Sequence, residues 1–181
     1  MRLPCAGHAA RSRRRNQDFA GRVLAATIAN GKLFATKVTL LRKPFISAAV
    51  KNARIAHLAT LDPTDGPHIV PVCFVYKERA FYTAVDQKPK RVPAENLTRV
   101  RNIRHSPQVA LLIDHYEEDW TKLWYVSVRG RASLIPQSAG KKRKLVIRAL
   151  RAKYLQYRVG MLNDDALIIR ITVEQIHSWK I

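Results

Sequence analysis

The densest grouping of reactive side chains runs from Phe81 to Arg91, FYTAVDQKPKR. A strand-like segment closes on the hydroxyl of Thr83. A loop then presents three cations, Lys88, Lys90 and Arg91, within four positions. Cations converging on a strand end can hold a phosphate, the lysines as point charges and the arginine as a two-pronged donor. A solvated basic loop is the alternative reading. Pro71, which removes a ladder donor from the segment before it, marks an edge, a bulge or a place where another group approaches the backbone. That placement favours a site. Other chemistry is thinly represented. The chain has no G-x-S-x-G, no H-E-x-x-H and no paired-cysteine metal spacing, and its six histidines are scattered. His68 in a strand reads as structural, and Cys73 between Val72 and Phe74 reads as packing. The run Asp114-His115-Tyr116-Glu117-Glu118-Asp119 reads as a solvated turn or a salt-bridge partner rather than a catalytic carboxylate pair.

The elements that must position these residues follow from turn signals and periodicity. Residues 46–54 form a short helix with Ser47 as N-cap. Residues 55–61, 68–76 and 80–85 form a three-stranded meander, turned at Asp62-Pro63-Thr64-Asp65-Gly66-Pro67 and at Lys77-Glu78-Arg79. A helix is predicted near residues 94–105, with Leu97, Val100 and Ile103 at helical spacing. Strands at 109–114 and 123–134, a basic amphipathic helix over 138–158 and a last strand at 166–173 complete the pattern. Six strands without βαβ alternation, and without a glycine-rich loop after a strand, exclude Rossmann and P-loop folds.

Length and composition set the frame. The 181 residues suit one domain and an arm, and 47% apolar with 25% charged residues matches an ordinary globular chain. Apolar runs are too short to span a bilayer. Two cysteines make no disulfide framework, which points to a reducing compartment, the cytoplasm. The formal charge is +20, a field that attracts polyanions, phosphate-bearing or carboxylate-bearing cofactors among them. It is unevenly spread: residues 1–45 hold ten basic groups against Asp18 alone. This basic arm superficially fits a transit peptide. A disordered tail, or a start assigned too far upstream, is the preferred expectation. Residues 46–181 are the expected cofactor-binding domain.

The order G-x-H-x-V-P-V (Gly66, His68, Val70, Pro71, Val72), F-Y-T (Phe81, Tyr82, Thr83), K-P-K-R (Lys88 to Arg91), then a helix and residues 106–114, resembles the split β-barrel flavin and deazaflavin oxidoreductases. These are the relatives of pyridoxamine 5′-phosphate oxidase. The K-P-K-R run, the acidic loop leading into Trp120, and Trp124 are most similar to the subgroup that uses the deazaflavin coenzyme F-420. The resemblance covers residues 46–181. It implies a mainly β, six-stranded antiparallel split barrel with flanking helices, paired as a homodimer with the cofactor between subunits. Thr83 and the strand Pro71, Val72, Cys73, Phe74 would line the ring with backbone groups. Lys88, Lys90 and Arg91 would hold the phosphate, and Trp120 or Trp124 would wall the ring from water. Core or dimer packing is the competing role for Trp124. A proton would come from solvent or from a nearby group such as Tyr82 or His68.

The activity so implied is hydride transfer between coenzyme F-420 and a small unsaturated substrate, with an FMN protein of the same fold as the alternative. The polyglutamate tail of the deazaflavin offers the excess positive charge a second target. The ending His177-Ser178-Trp179-Lys180-Ile181 does not match the arginine- and histidine-bearing substrate segment expected of true pyridoxamine phosphate oxidases, which leaves vitamin B6 oxidation unsupported. A non-enzymatic nucleic-acid binder is the reading of a different class, and it is disfavoured because no reader module is recognisable.

Overall fold

A computed structural model describes residues 44–181. The basic arm lies outside the described residues, apart from Pro44 and Phe45. Those two open the first helix, α1 (Pro44–Asn52). Pro44 at its first position donates no hydrogen bond that the helix needs, and its fixed φ suits a helix start. Ser47, expected as the N-cap, therefore lies inside α1.

Seven strands follow, and all neighbouring pairs are antiparallel. They are β1 (Ala56–Asp62), β2 (Gly66–Val72), β3 (Val75–Lys77), β4 (Ala80–Ala84), β5 (Gln108–His115), β6 (Trp124–Ile135) and β7 (Ile168–Lys180). Their order in the sheet is β2-β1-β5-β6-β7-β4-β3. The expected six become seven because the single strand predicted over 68–76 breaks at Cys73 and Phe74. Its first half pairs with β1 and its second half with β4. The two edge strands of the sheet are thus consecutive in sequence and only two residues apart, so the sheet must curl until its ends nearly meet. This is the split barrel. Pro71 sits on edge strand β2, where a missing donor costs no ladder bond that matters. The final strand is longer than expected. Residues beyond 173 alternate one buried position, Ile176, with polar neighbours, and they pair with β6 as far as Lys180.

The core has two parts. Inside the barrel lie Leu58, Phe74, Phe81, Leu111, Ile113, Val126, Val128 and Ile171. Between the back of the sheet and α3 (Gly140–Lys153) lie Val75, Tyr82, Ile135, Val146, Leu150 and Ile168. Strand β4 is buried along nearly its whole length because it divides the two, with Phe81 facing the barrel and Tyr82 facing the helix. The remaining α-helix, α2 (Thr98–His105), packs on β1 and β6. Helix α3 ends at Lys153, short of the predicted 158, and the chain kinks through Val159 and Gly160. Buried Arg143 donates to the carbonyls of Ile135, Asp164 and Ala166, tying α3 to the end of β6 and the approach to β7.

A backbone broken inside a core must find partners for its N–H and C=O. At Phe74 the Tyr154 hydroxyl supplies both. It accepts from the Phe74 N–H at 2.9 Å and lies 2.9 Å from the carbonyls of Phe74 and Arg54, which share its single proton. Burial is the main cause of its phenol being pushed up to about 12, so it stays protonated. Tyr154→Phe should leave two buried backbone groups unpaired. Destabilisation by about 2 kcal/mol is expected, read as a lower urea midpoint with an unchanged slope.

The β3–β4 turn carries positive φ at both Glu78 (46°) and Arg79 (62°), the geometry that favours asparagine and glycine. The double change Glu78→Asn, Arg79→Gly should therefore stabilise the protein by about 1 kcal/mol in the same titration. A destabilised double variant would show that these two side chains hold the turn by contacts of their own.

Candidate functional site

The predicted basic loop leaves the end of β4 and folds around one carboxylate. Asp86 is half-buried, and its Oδ1 takes the Lys90 ammonium at 3.2 Å while its Oδ2 takes Lys88 at 3.3 Å. Lys90 also donates to the Lys88 carbonyl at 2.7 Å, and the Lys88 N–H reaches Asp86 Oδ1. Burial raises the Asp86 carboxyl, but the two ammonium groups outweigh it and hold the group below the usual carboxylate range. The Tyr157 hydroxyl donates to Asp86 Oδ2 at 3.2 Å. Burial, then the Cys73 thiol and Asp86 beside it, push the Tyr157 phenol far up, so it can act only as a donor there. The Gln87 N–H bonds the Met161 carbonyl, which fastens the loop to the kink after α3.

Arg99, in the first turn of α2, faces this cluster. Burial pulls its guanidinium below its ordinary range, and the nearby Asp86 and Tyr157 oppose that shift. It enters no ion pair among the described residues. Four cations therefore surround Asp86 or lie close by: Lys88, Lys90, Arg99 and the exposed Arg91. One acid cannot neutralise them. The surplus suits a phosphate, which could share the lysines with Asp86 and take the guanidinium outright.

The sequence-derived residues distribute as follows. Lys88 and Lys90 are brought together, and Arg91 lies exposed on the same loop. Thr83 is buried one strand turn before them, and its hydroxyl takes no protein hydrogen bond among the described residues. Cys73 is half-buried at the strand break beside Tyr157. Pro71 is exposed and Val72 buried at the end of β2. Phe74 is in the barrel core, and its backbone is committed to Tyr154. Tyr82 is 1% exposed and packs beneath α3, so its side chain belongs to the core. His68 is half-buried on β2, with Nδ1 buried and unpartnered among the described residues.

Trp120 is 63% exposed and stands elsewhere. It precedes β6, whose first residue, Trp124, pairs with Lys180 at the far end of β7. The basic loop follows β4, whose end pairs with Ile168 at the near end of β7. Those positions are separated by roughly 40 Å of strand. A single subunit does not bring Trp120 to Lys88. Trp124 packs edge-on against Phe45, a packing role. In the acidic loop, Lys122 bridges Glu117 at 2.8 Å and Asp119 at 3.2 Å, so these carboxylates serve the turn.

Sequence reasoning missed Arg99 and Tyr157 and assigned Asp86 no role. Nothing in the sequence separates Arg99 from Arg101 and Arg104 on the same helix. Only the docking of α2 turns it inward.

Among the described residues no helix is long and apolar enough to cross a membrane. A search of curated proteins finds no match. Among solved structures, the chain is similar to the heme storage protein HutZ of Vibrio cholerae, with TM-score 0.60 and 16% identity over 76% of this chain and 93% of that one. A FAD-binding protein of Mesorhizobium loti gives 0.54 and 18% over 73% and 87%. A putative pyridoxamine 5′-phosphate oxidase of Listeria innocua gives 0.53 and 20% over 76% and 97%. At these identities the likeness is one of fold. The sequence pattern of the Pyridoxamine 5′-phosphate oxidase family, however, matches residues 43–180, the whole of the sheet and its helices. Matched over that span, which holds every described strand and helix, the chain belongs to the pyridoxamine 5′-phosphate oxidase family.

Proposed function

We propose that this protein is a flavin-dependent oxidoreductase that holds FMN by its phosphate at the Lys88–Lys90–Arg99 cluster and reduces or oxidises a small unsaturated organic substrate. The observation that carries the reading is the cation surplus around Asp86 at the end of β4, beside the strand break. Family membership and the likeness to a FAD-binding protein support a flavin ring. When bound, the ring supplies the hydride chemistry. The chain's own residues bind and orient: Lys88, Lys90 and Arg99 hold the phosphate, and Thr83 lies buried near the end of the strand that leads to them. Cys73 stands at the break, half-exposed. An unpaired Cys73 suits a reducing cytoplasm.

Coenzyme F-420 is the second reading. The observation in its favour is the exposed Arg91, a cation beyond what one phosphate needs and suited to a polyanionic tail. The full-length protein should be titrated with FMN and F-420 in parallel at fixed moderate salt, following cofactor fluorescence. Selective FMN binding supports the first reading, and selective F-420 binding replaces it with the second. Arg99→Met should weaken the cofactor that binds by about tenfold or more, the value of a charge-assisted hydrogen bond, with the circular dichroism spectrum unchanged. Undiminished affinity in that variant removes Arg99 from the site.

The functional unit is proposed to be a homodimer. The outer face of β2, β1, β5, β6 and β7 exposes Leu61, Ile69, Leu112, Tyr125 and Trp179, with Ile69 62% exposed. Cross-strand register puts Ile69, Ala59 and Ala110 in one row and Tyr125 beside Trp179 in another, two apolar patches on one side of the sheet with Leu112 and the His57–Asp114 pair between them. A second copy covering this face accounts for it. It is also the way Trp120 could reach a cofactor at the basic loop. Ile69→Glu should convert a dimer to a monomer in sedimentation velocity and weaken cofactor binding with it. A monomeric variant with full affinity would place the cofactor within one subunit.

A further inference from the structure

A second concave region lies away from the basic loop. A cleft of about 690 Å³ opens between α1, β3 and α3. Its volume falls in the range that holds small organic ligands. Val50, Val75 and Leu145 give it an apolar lining, with the Tyr76 ring along one side. Lys51, Lys77 and Arg148, all exposed, line it together with the half-buried Lys153. None of the lining residues is acidic. None of these four cations enters an ion pair among the described residues.

Lys153 is the informative group. Its ammonium sits 4.0 Å from the centroid of the Phe74 ring and 5.6 Å from that of Tyr154. Among the described residues its one hydrogen bond is a long contact of 3.5 Å to the Val50 carbonyl. Three donors are thus served by one weak acceptor and two ring faces. Burial, and then the charge of Arg54, draw this lysine down to about 8. Among the described residues this cation has no anionic partner. The cleft shares no lining residue with the cluster around Asp86, and nothing in the family reading uses it.

We infer that this cleft binds a small amphiphile with an apolar body and a single carboxylate, the body lying on Val50, Val75 and Leu145 and the carboxylate meeting Lys153. Charge complementarity decides the class of occupant. An amine or a basic peptide would meet four like charges. For the same reason the arm of this chain, net +9 over residues 1–45, is a poor occupant. A multiply charged phosphate compound would forgo the apolar lining. An apolar monocarboxylate uses both features.

The test is calorimetric titration of the full-length protein with decanoate, and with decanol and decylamine as neutral and cationic controls of equal length. Decanoate should bind saturably at one site per chain, at least about tenfold tighter than decanol, with decylamine not binding. Lys153→Met keeps length and apolar stem, and it removes a poorly solvated charge from the core. It should reduce the decanoate preference over decanol to within about twofold. Leu145→Asp, at an exposed position that leaves folding intact, should abolish binding of both. Saturating FMN should leave decanoate affinity unchanged, so this outcome is separable from failure of the cofactor assignment. Absence of saturable binding overturns the inference, whether the cleft is empty, covered by the arm or filled by a second copy. Equal affinity for decanoate and decanol, or a Lys153→Met variant with the full preference, overturns it as well.

Discussion

The structure depends on how one strand changes partners. A sheet that curls until its edges meet must have a segment that stops pairing with one neighbour and starts with another. At that switch the backbone leaves both ladders. Here the switch is Cys73 and Phe74, and Phe74 is in the barrel core, where unpaired N–H and C=O groups are costly. The Tyr154 hydroxyl resolves this from outside the sheet, and it does so from the residue that ends α3. The helix is thereby pinned to the break. Its apolar face then has one place to go, over β4 and the end of β6, which creates the second core.

The candidate site inherits its position from the same linkage. Three residues beyond Tyr154, Tyr157 turns back to Asp86 and Cys73. The strand break, the end of α3 and the basic loop are therefore joined through two tyrosines. Asp86 then organises the loop. Without it, Lys88, Lys90 and Arg99 would repel one another within a few ångströms of a half-buried strand end. With it, the lysines are held in fixed places while net positive charge remains. An anion arriving there meets donors already in position, so less ordering cost falls on the binding step.

Much of the architecture was legible in the sequence. The Asp62 turn and the long strand before α3 follow from periodicity and turn residues, and the family from the resemblance carried by the order of short motifs. The expected three-stranded meander is in fact two hairpins at opposite edges of the sheet. The strand count was not legible, because a break in a continuous apolar run such as Pro71-Val72-Cys73-Phe74-Val75 leaves no local mark. Both halves have strand character, and only closure of the barrel decides where pairing switches. The end of α3 was read too long for a related reason: the helical pattern continues past Lys153, and the backbone leaves it to aim Tyr154 at Phe74. Ser47 looked like a cap because serine prefers that place, yet Pro44 had already started the helix. In the site, loop cations are visible in sequence because they are consecutive. Arg99 and Tyr157 come from other elements, and only tertiary packing selects them among many similar residues.

Phe74 separates two regions that treat anions differently. On the loop side, cations are partly exposed and share a carboxylate, so an incoming phosphate exchanges water and Asp86 for itself, with screening by salt. On the cleft side, the Lys153 ammonium lies against aromatic faces with little water to lose, and the apolar lining contributes to binding only for a ligand with a hydrocarbon body. Small inorganic anions gain from the first environment and almost nothing from the second. The excess of basic residues in this chain therefore does not describe one diffuse polyanion-binding surface. Burial and neighbouring side chains give the cations of these two regions distinct surroundings.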